Sequence, residues 1–292
     1  MHARTKPFED RLPLPLVVAA VTAALEEDLG LAGDITTDAT IPAAATASAV
    51  FAVRKPGVVA GLQVAEAAFK VLDPAVSFEV LVPDGTFVDG ARTPVARVVG
   101  NARAILSAER VALNYVCRMS GIATLTRRYV EAVAHTDAKI IDTRKTTPGL
   151  RAFEKYAVRA GGGMNHRVGL FDAVLVKDNH IAVAGGIAKT IAALRSKVGH
   201  LVKIQVEVDN LRQLEELLTH NIDAVLFDNM GPKDMAEGVK IVAGRLITEA
   251  SGGVNLDSVR EIAEAGVDVI SSGALTHSAP ILDLGLDVEI AG

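Results

Sequence analysis

Tryptophan is absent from this 292-residue chain, and aromatic residues make up only 4% of it. Aliphatic side chains must therefore fill the core. Cysteine is nearly absent too. Cys117 stands alone and cannot close an internal disulfide, so a reducing, cytoplasmic setting is expected. No apolar run approaches the ~20 residues needed to span a bilayer. Residues 12–25, following Arg4 and Lys6, have the outline of a signal peptide. However, Glu9 and Asp10 precede that stretch, Pro13 and Pro15 interrupt it, and Glu26, Glu27 and Asp28 follow it directly. Val17, Val21 and Leu25 instead recur every four residues, as on one face of a helix. An excess of positive charge is also lacking. The formal net charge of −5 argues against a general nucleic-acid binder. No Cys/His array points to zinc, and no Walker-type glycine loop points to a nucleotide triphosphatase.

What is present is a chain that is 50% hydrophobic and 22% charged, long enough for one large domain or two smaller ones. Two textures follow each other. Residues 48–54, 76–82 and 94–99 read as short strands, split by the turns Lys55-Pro56-Gly57, Pro83-Asp84-Gly85 and Asp89-Gly90. A helical run at 64–72 lies among them, giving a small α+β domain. After a long helix over 105–134, short apolar strands alternate with amphipathic helices. The strands are 138–142, 172–176, 203–208, 223–227, 246–249 and 267–270. Their nearly continuous apolar character is that of parallel strands covered on both faces. Asn210 and Asn255 supply helix start signals. The pattern predicts a parallel α/β sheet, either an incomplete barrel with six strands of eight or an open doubly wound sheet.

All six strands deliver polar groups at their C-terminal ends, the edge where barrels and open α/β sheets alike place their sites. From Asp142 to His180 there are seven Arg or Lys against four Asp or Glu, in a chain that is acidic overall. Arg151, Lys155 and Arg159, spaced i, i+4, i+8, read as a solvated helix stripe. Arg144, Lys145 and Lys177 stand at strand ends and point to an anionic substrate, with arginine suited to carboxylate or phosphate. His166 and Arg167 follow Gly161-Gly162-Gly163, whose glycines would let backbone approach a ligand, although a lone histidine is as often structural. The loops Ser251-Gly252-Gly253 and Ser272-Gly273-Ala274 suit a phosphate. Glu207 and Asp228 end adjacent strands, where they could hold Mg²⁺ through water, face a cationic transition state, or simply pair with lysines.

Taken in order, several runs resemble those of quinolinate phosphoribosyltransferases. They are Glu27-Asp28-Leu29-Gly30, Gly33-Asp34-Ile35-Thr36-Thr37, Asp142-Thr143-Arg144-Lys145-Thr146, Lys155-Tyr156-Ala157-Val158 and Gly161-Gly162-Gly163-Met164-Asn165-His166-Arg167. Lys177-Asp178-Asn179-His180, Glu207-Val208-Asp209, Glu249-Ala250-Ser251-Gly252-Gly253 and Gly273-Ala274-Leu275-Thr276-His277 complete the match. No single run is specific, whereas the ordered set is. The resemblance implies an incomplete TIM-like α/β barrel over residues 117–275. An N-terminal α+β sandwich domain over 1–116 would be rejoined by 276–292. It implies the substrates quinolinate and phosphoribosyl pyrophosphate, Mg²⁺ as cofactor, and a role in NAD biosynthesis. Arg110, Thr143, Arg144, Lys145, His166, Arg167 and Lys177 would surround the quinolinate carboxylates and pyrophosphate. Glu207 and Asp228 would serve the ribose, the metal and the reacting centre, with Lys145 beside them in the chemistry. Ser251, Gly252, Gly253, Ser272, Gly273 and Ala274 would take the 5′-phosphate. Arg110 by its helix alone reads as a surface or interdomain salt bridge. The resemblance implies instead that it reaches the other subunit's pocket in a homodimer. The rival readings are a barrel transferase for another base and a non-catalytic sensor of a phosphorylated ligand.

Overall fold

The computed structural model describes residues 8–289, so Arg4 and Lys6 lie outside the described residues. These residues form two compact units: 8–127 with 152–162 and 279–289, and 128–151 with 163–278. The chain passes between them four times, first within one long helix.

The first unit begins with α1 (Leu14–Leu29) and α2 (Ile35–Thr40). In α1 the buried residues are Val17, Val21 and Leu25, the three that share a face by spacing. Pro15 near its start is tolerated because the first-turn N–H groups have no helical partner. Then come β1 (Thr46–Val53), β2 (Gly57–Val58), α3 (Leu62–Leu72), β3 (Ser77–Val80), β4 (Phe87–Val88), β5 (Thr93–Asn101) and α4 (Ala102–Ala132). After β6 (Lys139–Ile141), α5 (Arg151–Ala160) is the excursion that carries residues 152–162 into this unit.

The other unit contains β6 and then β7 (Val174–Val176), α6 (Asp178–Ala184), α7 (Ile187–Arg195), β8 (Ile204–Val208), α8 (Leu211–Leu217) and β9 (Ala224–Asp228). It continues through α9 (Pro232–Val242), β10 (Ile247–Ser251), α10 (Val259–Glu264), β11 (Val269–Ser271) and α11 (Ala274–His277). The final strand β12 (Leu284–Glu289) pairs antiparallel with β1. It completes a four-stranded sheet ordered β12-β1-β5-β3 in the first unit. One face of that sheet packs the ring of Phe51 against Phe69 of α3 and Phe78 of β3, at centroid distances of 5.9 Å each.

The six parallel strands lie in the order β6-β11-β10-β9-β8-β7. The first strand thus pairs with the last, while β6 and β7, consecutive in sequence, do not pair. This is a barrel of six strands left open between its first two members, and it decides between the two sheet architectures in favour of the incomplete barrel. One residue enters the gap: Met164 forms a parallel bridge with Ile141 on the free edge of β6. The core on the helix side is aliphatic, with Phe227 of β9 lying beneath Leu214 of α8 and Gly238 of α9. A Cβ on Gly238 would meet the Phe227 ring at 2.9 Å.

One expectation fails here. Lys155 is only 2% exposed, so Arg151, Lys155 and Arg159 do not make a solvated stripe. Helix α5 is buried along almost its whole length, at Phe153, Glu154, Lys155, Tyr156, Ala157, Val158 and Ala160. Glu154 meets Arg118 at 2.8 Å, and Arg159 turns outward to Asp10 at 2.7 Å.

Candidate active site

Register fixes which strand residues look into the barrel. Glu207 lies level with Leu226, Leu226 with Glu249, and Glu249 with Val269. Level residues on neighbouring strands share a face, and side chains alternate along each strand. Phe227 points to the helices, so Glu207, Asp228, Glu249 and Ser251 point inward. A barrel interior is ordinarily filled with branched aliphatics. Here the upper layer is polar, which follows from the sequence placing Gln205 with Glu207, and Glu249 with Ser251, at i, i+2.

The cations gather at the C-terminal rim. Lys177, just past β7, reaches Glu207 at 2.9 Å; its side chain is half exposed while that of Glu207 is 7% exposed. Arg144 and Lys145 follow β6 and are exposed. The Lys145 N–H donates to Thr143 Oγ1 at 3.0 Å, and the Lys145 carbonyl accepts from Thr276 Oγ1 at 2.7 Å. The first bond shapes the β6 loop, and the second seats it against α11. The Arg167 guanidinium donates to the Ala173 carbonyl at 2.9 Å. Burial, and then the like charge of Arg144, depress the proton affinity of the Arg167 guanidinium, with Asp172 partly opposing them. Among the described residues, none of Arg144, Lys145 and Arg167 has a carboxylate at ion-pair distance. Arg144 and Arg167 thus stand close enough to repel each other, with Asp172 the acidic group that offsets their charge at Arg167.

The gap segment is held from below. Asp142, fully buried, accepts from Asn165 Nδ2 at 2.7 Å and from the His166 backbone N–H at 2.8 Å. His166 Nδ1 accepts from the Arg167 N–H at 2.6 Å, and its Nε2 lies 3.5 Å from Glu249 Oε2.

On the other side of the mouth, Asp228 lies level with Ser251 and accepts from the Asn229 amide at 2.9 Å. Gly252 has φ +93° and would drive a Cβ into the Asn229 carboxamide, so only glycine fits. Gly253 is also left-handed, at φ +62°. Ser272 is buried, its hydroxyl spent on the Val254 carbonyl at 3.1 Å. Gly273 precedes Ala274, the first residue of α11, and a Cβ there would meet Lys145 Cδ at 2.8 Å. The β11 loop and Lys145 are therefore in contact. Of the expected residues, the structure gathers Thr143 through Lys145, His166, Arg167, Lys177, Glu207, Asp228 and both Ser-Gly loops on one barrel rim. Arg110 is not among them. It belongs to the first unit, on α4, with its side chain 66% exposed and Glu109 at 3.9 Å.

Two family models account for most of the chain. The N-terminal domain of quinolinate phosphoribosyl transferase matches residues 34–120, and its C-terminal domain matches 122–287. The chain belongs to the quinolinate phosphoribosyltransferase family. Relatives within it include a probable carboxylating nicotinate-nucleotide pyrophosphorylase of Synechocystis, 48% identical over 80% of each chain. The carboxylating nicotinate-nucleotide pyrophosphorylase of Mycobacterium leprae is 46% identical over 91% of this chain and 94% of its own. Among solved structures, NadC from Streptococcus pyogenes superposes with a TM-score of 0.93 at 36% identity, covering 97% of this chain and 100% of that one.

Asp142, Gln205 and Glu249 were not singled out as site residues. Each is a polar residue on or ending an apolar strand, and the i, i+2 pairs Gln205/Glu207 and Glu249/Ser251 were the available signal. Among the described residues, no group of three or more His, Cys, Asp or Glu side chains is placed to hold a metal ion, and no helix is long and apolar enough to cross a membrane.

Proposed function

We propose that this enzyme joins quinolinate to the phosphoribosyl group of phosphoribosyl pyrophosphate, giving nicotinate mononucleotide, pyrophosphate and carbon dioxide, a step of NAD biosynthesis. The observation that carries the reading is the set of rim cations, Arg144, Lys145 and Arg167, without carboxylate partners at ion-pair distance. Two ring carboxylates and a pyrophosphate need several positive groups, and arginine meets a carboxylate in bidentate fashion. The rival bases with one carboxylate would leave cations uncompensated, and a mere sensor has no need of Glu207 and Asp228.

In this reading Arg144, Arg167 and Lys177, with Thr143 and His166 beside them, orient the dicarboxylate so that the pyridine nitrogen faces C1 of the ribose. That nitrogen forms the new bond as the bond from C1 to pyrophosphate breaks. Glu207 and Asp228 lie where ribose hydroxyls and positive charge at C1 would be met, and Lys145 faces the departing pyrophosphate. The ring, now cationic at nitrogen, takes up the electron pair released when the 2-carboxylate leaves as carbon dioxide, and the ring carbon is then protonated. No covalent enzyme intermediate is needed, because the work is positioning and charge compensation. The 5′-phosphate sits against Ser251, Gly252 and Gly253 and against Ser272, Gly273 and Ala274, whose small residues leave N–H groups accessible.

Magnesium fits this site only as an ion carried by the substrate. Glu207 is already engaged by Lys177 at 2.9 Å and Asp228 by Asn229, so a cage made wholly of protein ligands is not on offer. Mg²⁺ keeps several waters and relies on substrate phosphates. Glu207 and Asp228 would hold it through water, where it would neutralise charge on the leaving pyrophosphate. We place Arg110 in the pocket of a second subunit, which makes the homodimer the active form, and we place the enzyme in the cytoplasm, where lone Cys117 stays reduced. The test is incubation with quinolinate, phosphoribosyl pyrophosphate and Mg²⁺. Nicotinate mononucleotide and carbon dioxide are expected in equal amounts, and neither should form when either organic substrate is left out. A wild-type protein that forms no nucleotide under these conditions overturns the reading.

A further inference from the structure

Glu249 has no part in the roles assigned above, yet it is among the most deeply buried charged residues of the barrel, at 2% exposure. Its Oε2 accepts from Gln205 Nε2 at 2.7 Å and lies 3.5 Å from His166 Nε2. Its Oε1 is buried and, among the described residues, has no hydrogen-bond partner. A buried acceptor left unmet costs about 1–3 kcal/mol. Such a group persists where function holds it in place. Direct contact with substrate is excluded by burial, since Oε1 offers no surface to a ligand. What Glu249 does touch is the one segment of the barrel that has no strand of its own.

That segment, residues 163–167, crosses the gap between β6 and β7 with a single bridge at Met164. Asp142 secures its backbone at His166, and the His166 ring extends to Glu249 on β10. With Nδ1 accepting from the Arg167 N–H, a neutral imidazole carries its hydrogen on Nε2, the nitrogen that lies 3.5 Å from Glu249 Oε2. The next residue is Arg167, one of the unpaired rim cations. We propose that Glu249 is a positioning residue: through the His166 ring it ties the gap segment to β10 and so fixes where Arg167 meets the anionic substrate. The inference rests on the functional reading above and adds to it a residue that never contacts substrate.

The test uses Glu249→Met, Glu249→Gln, His166→Ala and the double variant Glu249→Met/His166→Ala in the full-length enzyme. Replacing a buried, incompletely paired carboxylate by an apolar side chain of similar length is neutral or stabilising, so the Glu249→Met melting temperature should not fall. Its KM for quinolinate should rise about 10-fold, with kcat and the KM for phosphoribosyl pyrophosphate changed less than about 3-fold. Glu249→Gln keeps an acceptor for His166 Nε2 and should restore quinolinate KM to within about 3-fold of wild type. Because Glu249 acts through His166, the double variant should be no worse than His166→Ala alone. Multiplying effects in the double variant, or an unchanged quinolinate KM in Glu249→Met, overturns the proposal. The imidazole NMR signals of His166, assigned by their loss in His166→Ala, read the contact without substrate. They should shift and broaden in Glu249→Met and stay near wild type in Glu249→Gln. If they do not move, the proposal is wrong whatever the activity. If they move but wild-type enzyme turns over no quinolinate, the functional reading fails and the positioning contact stands.

Discussion

Lys145 and Arg167 carry their charges to the barrel rim without a carboxylate at ion-pair distance, and the proposed function has each spend that charge on substrate. Lys145→Ala and Arg167→Ala are each expected to lower kcat/KM at least ~100-fold, about 2.7 kcal/mol of transition-state stabilisation. Thermal melting should stay close to wild type, because Lys145 is exposed and the Arg167 side chain makes one hydrogen bond, to a backbone carbonyl. Steady-state kinetics beside calorimetry checks this, and near-normal kcat/KM in either variant removes that residue from the site. Lys177 behaves differently, since it also neutralises Glu207, which is 7% exposed. Lys177→Met leaves a nearly buried carboxylate without its partner and should cost about 1–3 kcal/mol of unfolding free energy. Adding Glu207→Leu should restore most of that loss, because the charge that lost its partner is then gone. Urea titration of the single and double variants reads the difference, and a double variant no more stable than Lys177→Met would show that the pair carries no such energy.

At the scale of the element, the loop after β11 and the loop after β6 touch. Gly273 is closely approached, since a Cβ would meet Lys145 Cδ at 2.8 Å and His277 Nε2 at 3.0 Å and would push those side chains aside. Gly273→Asp adds bulk against Lys145 and a negative charge where a phosphate is to sit, and should abolish measurable binding of phosphoribosyl pyrophosphate. Titration calorimetry on the folded variant checks this, and wild-type affinity would place the phosphate elsewhere. The six strands were legible in the sequence because parallel strands covered on both faces read as short apolar runs. The polar residues that follow each run were legible too, and the structure gathers them on one barrel rim. Lys155 was misread because i, i+4, i+8 spacing states only that residues share a face, and tertiary neighbours decide whether water reaches it. For Glu249 and Gln205 the i, i+2 spacing with Ser251 and Glu207 marks a shared strand face, but that the two meet depends on register across strands, which spacing within one strand does not carry. The strand order was equally hidden, since pairing of β6 with β11 joins residues some 130 positions apart.

For the whole molecule, the rim of one barrel holds every expected site residue except Arg110, which stands exposed on α4 in the other compact unit. In the proposed reading, a closed twofold dimer in which each chain lends Arg110 to its partner would supply both pockets at once. Arg110→Ala and Lys145→Ala homodimers should each be nearly inactive. Mixed and re-equilibrated, they should recover about a quarter of wild-type activity, since half the dimers are mixed and each has one intact site of two. No recovery, with subunit exchange shown independently, would mean that Arg110 acts within its own chain. The central claim, that the rim cations are matched to a pyridine dicarboxylate, is tested most directly by kcat/KM for quinolinate against nicotinate with phosphoribosyl pyrophosphate and Mg²⁺. A site built to pair two carboxylates leaves a rim cation without its partner when one is missing, so quinolinate should be preferred by at least ~1000-fold. Comparable values for the two bases would contradict the account.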